Sequence, residues 1–217
     1  MRVSPKRLAW HLKAHGLRHG FVAGWDSPGI DPFDGRSDFV GVLLHHTAGT
    51  DSLRWIVYTN PYAPVRACHF LVNRSGLVEV VSGVGAYHAG AGGPWKFPAG
   101  PFVPRDQGNR FLYGIEIESL GEHPAVNASR GGMTVEQIVS TGVLCASLLD
   151  AMKPGPGSLP VNRVIRHRDW TSRKVDVRQD LVWWHQVVGI ARKAGKNYAL
   201  AAAGIREFVE EHPRGTL

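Results

Sequence analysis

The chain of 217 residues has only two cysteines, Cys68 and Cys145. Two thiols cannot build the framework of a disulfide-stapled secreted domain, so stability has to come from a packed core. No apolar run approaches the length of a membrane span. The basic start, Met1 to Lys6, is not followed by an apolar signal region, because His11, Lys13, His15, Arg18 and His19 interrupt it. No signal peptide is therefore expected, and synthesis is expected in the cytoplasm. There is no internal repeat, no long low-complexity tract and no acidic excess. Hydrophobic residues make up 43% and charged residues 20%, ordinary for a globular chain, which excludes disorder as the main state.

What is present is basic. Lys and Arg number 25 against 18 Asp and Glu, a formal charge of +7. That balance favours polyanionic partners without choosing among nucleic acid, anionic lipid and an acidic wall. No arginine-rich helix or aromatic RNA-binding strand motif accompanies it, so nucleic acid is not expected as a partner.

Local patterns outline the fold. Ser4 with Pro5 starts a helix that Gly16 can end. Residues 20–37 are rich in Gly, Pro, Asp and Ser and read as irregular, so residues 1–36 are expected to form an N-terminal arm with one short helix. Residues 37–217 would be the main domain. The run Phe39 to Leu44 is continuous and apolar, as in a buried strand, and it delivers His45 and His46 at its end. Residues 52–59 read as a short helix. Cys68 to Val72 and Leu77 to Val81 flank a turn ending in Gly76 and read as a hairpin. Residues 89–110 read as a long surface loop. Leu112 to Glu118 and Val161 to His167 read as strands. Thr134 and Gln137 make a capping box for a helix to about Met152, with Pro154 to Gly157 as its stop. Residues 181–194 and 199–212 read as closing helices over the core. This order predicts a single layered α/β (α+β) domain with a central mixed sheet flanked by helices.

Of eleven histidines, His11, His15, His19, His123 and His212 read as structural or surface residues. His45 and His167 stand at strand ends, and a polar loop with Lys174 and Asp176 follows His167. Two His and one Asp from separate positions suit a catalytic zinc with an open position, although spacing alone leaves other readings open. Adjacent strand residues face opposite ways, so at most one of His45 and His46 faces a common site. The other would pack behind the sheet or support the site. By the same rule Glu116 and Glu118 share a face, with Glu118 read as a solvated rim residue. His69 is either a site-wall residue or a satisfied strand histidine. Trp170 reads as packing under the His167 loop, with Asp169 orienting a neighbour. Cys68, inside an apolar strand, reads as an inert thiol rather than a nucleophile.

Five ordered blocks carry a resemblance: Val42 to Ala48, Cys68 to Gly76, Ala86-Tyr87-His88-Ala89-Gly90, Tyr113 to Glu118, and His167-Arg168-Asp169-Trp170 with Arg173-Lys174 and Asp176. Together they resemble the zinc-dependent type 2 N-acetylmuramoyl-L-alanine amidases, which share a fold with the peptidoglycan recognition proteins. The resemblance implies Zn2+ held by His45, His167 and Asp176, with Glu116 as catalytic carboxylate and Lys174 as transition-state cation. It implies substrate contacts from His88, His69 and Tyr87. It also implies cleavage of the amide between N-acetylmuramic acid and L-alanine of peptidoglycan. With no signal peptide, the expected role is a phage endolysin, held in the host cytoplasm until lysis and then acting on the anionic wall. It is expected to be a monomer without stable membrane insertion. A muropeptide-recycling amidase and a non-catalytic peptidoglycan-binding module are the competing roles. Cys68 stands where some relatives have Tyr, and Val177 follows Asp176 where Pro is usual.

Overall fold

The computed structural model describes residues 3–59, 65–121, 131–153 and 157–214. His123 and Pro154 to Pro156 lie outside the described residues. Helix α1 (Pro5–Ala14) begins where Ser4 accepts from the Arg7 N–H, with Pro at its first position. Strand β1 (His19–Phe21) follows, then β2 (Gly41–His46), β3 (Phe70–Val72) and β4 (Val78–Val80). The expected long surface loop is partly ordered. It holds a small hairpin, β5 (Trp95–Lys96) with β6 (Phe102–Val103), and a one-turn helix α2 (Gly108–Phe111) that leads into β7 (Leu112–Ile117). Helix α3 (Val135–Met152), strand β8 (Val164–Arg166), the one-turn helix α4 (His167–Trp170), α5 (Leu181–Lys193) and α6 (Tyr198–Glu211) complete the order.

The described residues build a six-stranded mixed sheet in the order β1-β4-β3-β7-β2-β8. β3, β7, β2 and β8 run parallel to one another, β4 is antiparallel to β3, and β1 is parallel to β4. The segment read as an arm thus contributes an edge strand as well as a helix. β2 pairs on both sides, with β7 and β8. A strand buried on both faces needs apolar residues without alternation, which is why Phe39 to Leu44 reads as a continuous run.

The two sheet faces divide by residue parity. Val42 and Leu44, with Tyr113, Ile115 and Ile117, pack against α3 in the main core. Leu43 and Leu112, with Ile165, pack instead against Ala89, Phe97 and Trp170. α3 is long and apolar enough to cross a membrane by length and composition, yet 83% of it is buried. It is the central core helix. Its capping box is complete: Thr134 accepts from the Gln137 N–H at 3.0 Å and Gln137 accepts from the Thr134 N–H at 2.9 Å. A cap of this kind stabilises a helix by about 1 kcal/mol. α5 and α6 lean on α3, with Trp183, Trp184, Ile205 and Val209 in the same core.

Candidate active site

The parallel strands end together, and a cavity of about 530 Å³ opens beyond their carboxyl ends. That is where an open sheet with parallel strands places its ligands. On β2, Leu43 and His45 share a face; on β7, Gly114 and Glu116 do; Ile165 of β8 is followed two residues later by His167. His45 and Glu116 are direct partners across the β2–β7 ladder. The strand pattern therefore carries both side chains to one place.

His45, His167 and Asp176 converge. His45 Nδ1 lies 2.9 Å from His167 Nδ1, and Asp176 Oδ2 lies 3.0 Å from His167 Nδ1 and 3.5 Å from His45 Nδ1. All three residues are buried. Asp176 returns to the histidines because the Arg168 N–H donates to the Asp176 carbonyl at 2.7 Å, closing the loop after α4. Val177, in the place of the usual proline, is buried in the main core and anchors the other end of that loop.

The tautomers follow from the neighbours. His88 Nε2 lies 3.0 Å from the Leu112 carbonyl, which can only accept, so this nitrogen carries a proton. Burial, then the nearby His45 and His69, hold His88 well below the usual imidazole range, so it is neutral and its Nδ1 accepts. His45 Nε2, 3.0 Å away, is then the donor. His45 is pushed down to about 4 by burial and by His167, against the pull of Asp176. Its Nδ1 therefore presents a lone pair to the centre. His167 Nε2 donates to the Ala89 carbonyl at 3.1 Å, which turns its Nδ1 toward His45 and Asp176. Burial works to raise Asp176, but bonds and charge from His167 and His45 outweigh it and hold the carboxyl well below the usual range.

Three potential ligand atoms thus face one another at 2.9–3.5 Å. Such a set suits a cation. The spacing is close to the edge of a zinc tetrahedron, about 3.3 Å for bonds near 2.0–2.1 Å. Histidine ligands held by their second nitrogen are the usual supporting arrangement of such a centre. The residues fit a zinc ion.

Around this centre stand Glu116, Lys174, His88, Tyr87, His46, Trp55, Asn109 and Arg173, all bordering the cavity. Glu116 Oε2 is buried without a partner. Burial and the Asp176 charge push Glu116 up to about 8, opposed by Lys174. Lys174 and Asp176 both face the cavity while Val175 between them is 61% exposed, the alternation expected of an extended loop.

Several expectations are amended. His69 does not border the cavity; it lies one layer deeper, fully buried, with its Nδ1 accepting from the Gly114 N–H at 3.0 Å. It stands just ahead of β3, where its ring takes up a backbone N–H of β7. His88 borders the cavity, but both of its ring nitrogens are spent on His45 and Leu112. Glu118 is not a solvated rim residue: it is buried, accepting from the Ser52 N–H at 2.8 Å and the Arg74 N–H at 3.3 Å. His46 borders the cavity because β2 ends there and the chain turns at Ala48, which has a positive φ of 54°. Trp170 does pack beneath the site, against Gly92 and Gly93, and Asp169 holds Arg166 through paired bonds. Cys68 is fully buried, and burial pushes its thiol well up, away from nucleophilic chemistry.

Two contributors are not evident from sequence. Asn109 accepts from the His88 and Ala89 N–H groups at 2.8 and 2.7 Å, fixing both the His88 ring and the Ala89 carbonyl. Gly114 leaves room for that ring: a Cβ there would lie 2.3 Å from His88 Cγ. The strand position and the missing side chain are visible in the chain; the ring laid across them is not.

A family model described as N-acetylmuramoyl-L-alanine amidase matches residues 35–179. Two solved structures are similar in fold. A mutant endolysin from Bacillus subtilis has a TM-score of 0.48 and 18% identity, over 87% of this chain and 97% of that one. PlyL has a TM-score of 0.48 and 14% identity, over 79% of this chain and 96% of that one. No curated protein matches in sequence. The family match spans more than half of the chain and takes in His45, His88, Glu116, His167, Lys174 and Asp176. With the whole converging set inside it, the chain belongs to the N-acetylmuramoyl-L-alanine amidase family.

Proposed function

We propose that the protein is a zinc-dependent hydrolase that cleaves the amide between the lactyl group of N-acetylmuramic acid and L-alanine in peptidoglycan. The observation that carries this is the trio of His45 Nδ1, His167 Nδ1 and Asp176 Oδ2, turned on one point beside Glu116. Zinc held there supplies Lewis acidity, making water acidic near neutral pH and polarising an amide carbonyl.

The protein's own groups do the rest. Glu116 takes the proton lost by the attacking water and returns it to the leaving amide nitrogen. Without a cation its carboxyl is held up at about 8. Added positive charge at the trio lowers it toward neutrality, where a group can both take and give a proton. Lys174 places an ammonium on the cavity wall beside the developing oxyanion. His88 orients His45, and the Ala89 carbonyl orients His167. Tyr87 and the exposed Trp55 offer aromatic surface to the substrate.

The finer role is a wall lysin of the phage endolysin kind, held in the host cytoplasm and acting on the wall after release. The net charge of +7 supports it by drawing the enzyme to an anionic wall. The test pairs zinc content with product analysis on purified sacculi, wild type beside His167→Ala. New N-terminal alanine without new reducing sugar, lost in the variant together with zinc, is the expected result. Cleavage of soluble muropeptides but not sacculi would move the role to recycling. Undiminished cleavage by His167→Ala would overturn the site.

A further inference from the structure

A second cavity, of about 910 Å³, lies between α1, the end of α3 and the chain that follows α5. α1 buries a stripe of Leu8, His11, Leu12 and His15, spaced i, i+3, i+4 and i+7. Two of these four core-facing positions are therefore imidazoles. They are 8% and 2% exposed, and the Nδ1 of each is buried without a partner. Buried polar atoms are normally satisfied, and an unpartnered nitrogen on His11 beside the cavity needs a reason. Asp150, in the last turn of α3, faces them, with its Oδ2 2.9 Å from His15 Nε2. Ligating atoms of all three residues lie within 4.8 Å of one another.

The surroundings bear on what could bind. Lys6, Arg7, Arg192 and Lys196 border the cavity, and Arg7 and Lys196 are engaged. Arg7 donates to the Ala151 and Lys153 carbonyls at the end of α3, at 2.9 and 2.7 Å, and the Lys196 ammonium sits 4.4 Å over the Trp10 ring. The Asp150 carboxylate on the cavity wall meets His15 directly. Two histidines four apart on a helix put both rings on one side, and a carboxylate from a neighbouring helix completes a three-ligand set.

We propose that His11, His15 and Asp150 form a second transition-metal site, of the zinc(II) class, that clasps α1 to α3 and keeps an open position toward the cavity. It shares no residue with the trio at the sheet end. Imidazole and carboxylate ligands also suit cobalt(II), which provides a visible spectrum.

The full-length protein is dialysed against micromolar zinc and its metal content measured, with cobalt absorption as a second readout. Wild type should hold two equivalents. His11→Ala and the near-isosteric Asp150→Asn should each hold one and hydrolyse peptidoglycan as wild type does, while His167→Ala should also hold one. The double variant His11→Ala with His167→Ala should hold none. A wild type with one equivalent that His167→Ala removes would overturn the proposal. So would two equivalents persisting in both His11→Ala and Asp150→Asn. One equivalent that survives His167→Ala and is lost in Asp150→Asn would support this site and count against the trio. Asp150→Asn keeps the side-chain shape, so the test stands if His11→Ala does not fold.

Discussion

Among the described residues there are two His-His-Asp clusters, and they are built differently. At the sheet end, β2 and β8 deliver the histidines, and every second ring nitrogen is committed: His45 to His88, His167 to the Ala89 carbonyl. Between α1 and α3, His15 pairs with Asp150, and the Nδ1 atoms of both histidines have no hydrogen-bond partner among the described residues. The first cluster is oriented before anything binds. The second is held by helix spacing and one carboxylate. Preorganisation comes from the surrounding hydrogen bonds more than from the three residue types.

Breaking the comparison at its strongest point means removing chemistry without touching orientation. Glu116→Gln should retain zinc and melting temperature while losing on the order of a hundredfold to ten-thousandfold in turnover, read as alanine release from sacculi. Lys174→Met should cost about a hundredfold. Because Lys174 is the group that lowers Glu116, the acid limb of kcat/KM should also move to higher pH; a limb that stays put would separate the two groups. Gly114→Ala attacks orientation alone. Its Cβ would displace the His88 ring, and zinc affinity should fall about tenfold to a hundredfold, measured by competition with a chelator.

The smallest effect is expected at the helices. Burial works to raise Asp150, but the bonds from His15 and Ser158 outweigh it and leave its carboxyl lowered. A depressed carboxyl contributes stability above its unfolded value, about 4, and that contribution is lost as the pH falls through the folded value. Asp150→Asn should therefore lower the melting temperature slightly at neutral pH and flatten its acid decline, with turnover unchanged.

Much of this is legible in the chain because strand parity is a local rule. Leu43 with His45, and Gly114 with Glu116, announce a shared face by their spacing alone. The Thr134–Gln137 box marks the start of α3 in the same local way. What stays hidden depends on neighbours distant in sequence. Glu118 reads as a rim residue until the Ser52 and Arg74 amides are seen to reach it. His88 reads as a substrate contact until the Leu112 carbonyl, 24 residues on, is found to hold its proton. His11 and His15 read no more finely than as structural or surface histidines, because α3, which covers them, lies more than a hundred residues away in the chain.

Residues 19–21 lend one last consequence. They lie against β4 in register, His19 beside Val78 and Phe21 beside Val80. Trimming the chain to its family-matched portion would strip that cover and leave β4 as a bare, apolar border strand. Such a border invites the same strand of another molecule. A shortened enzyme should thus be judged by light scattering before it is judged by activity, since its failing would be one of company rather than of catalysis.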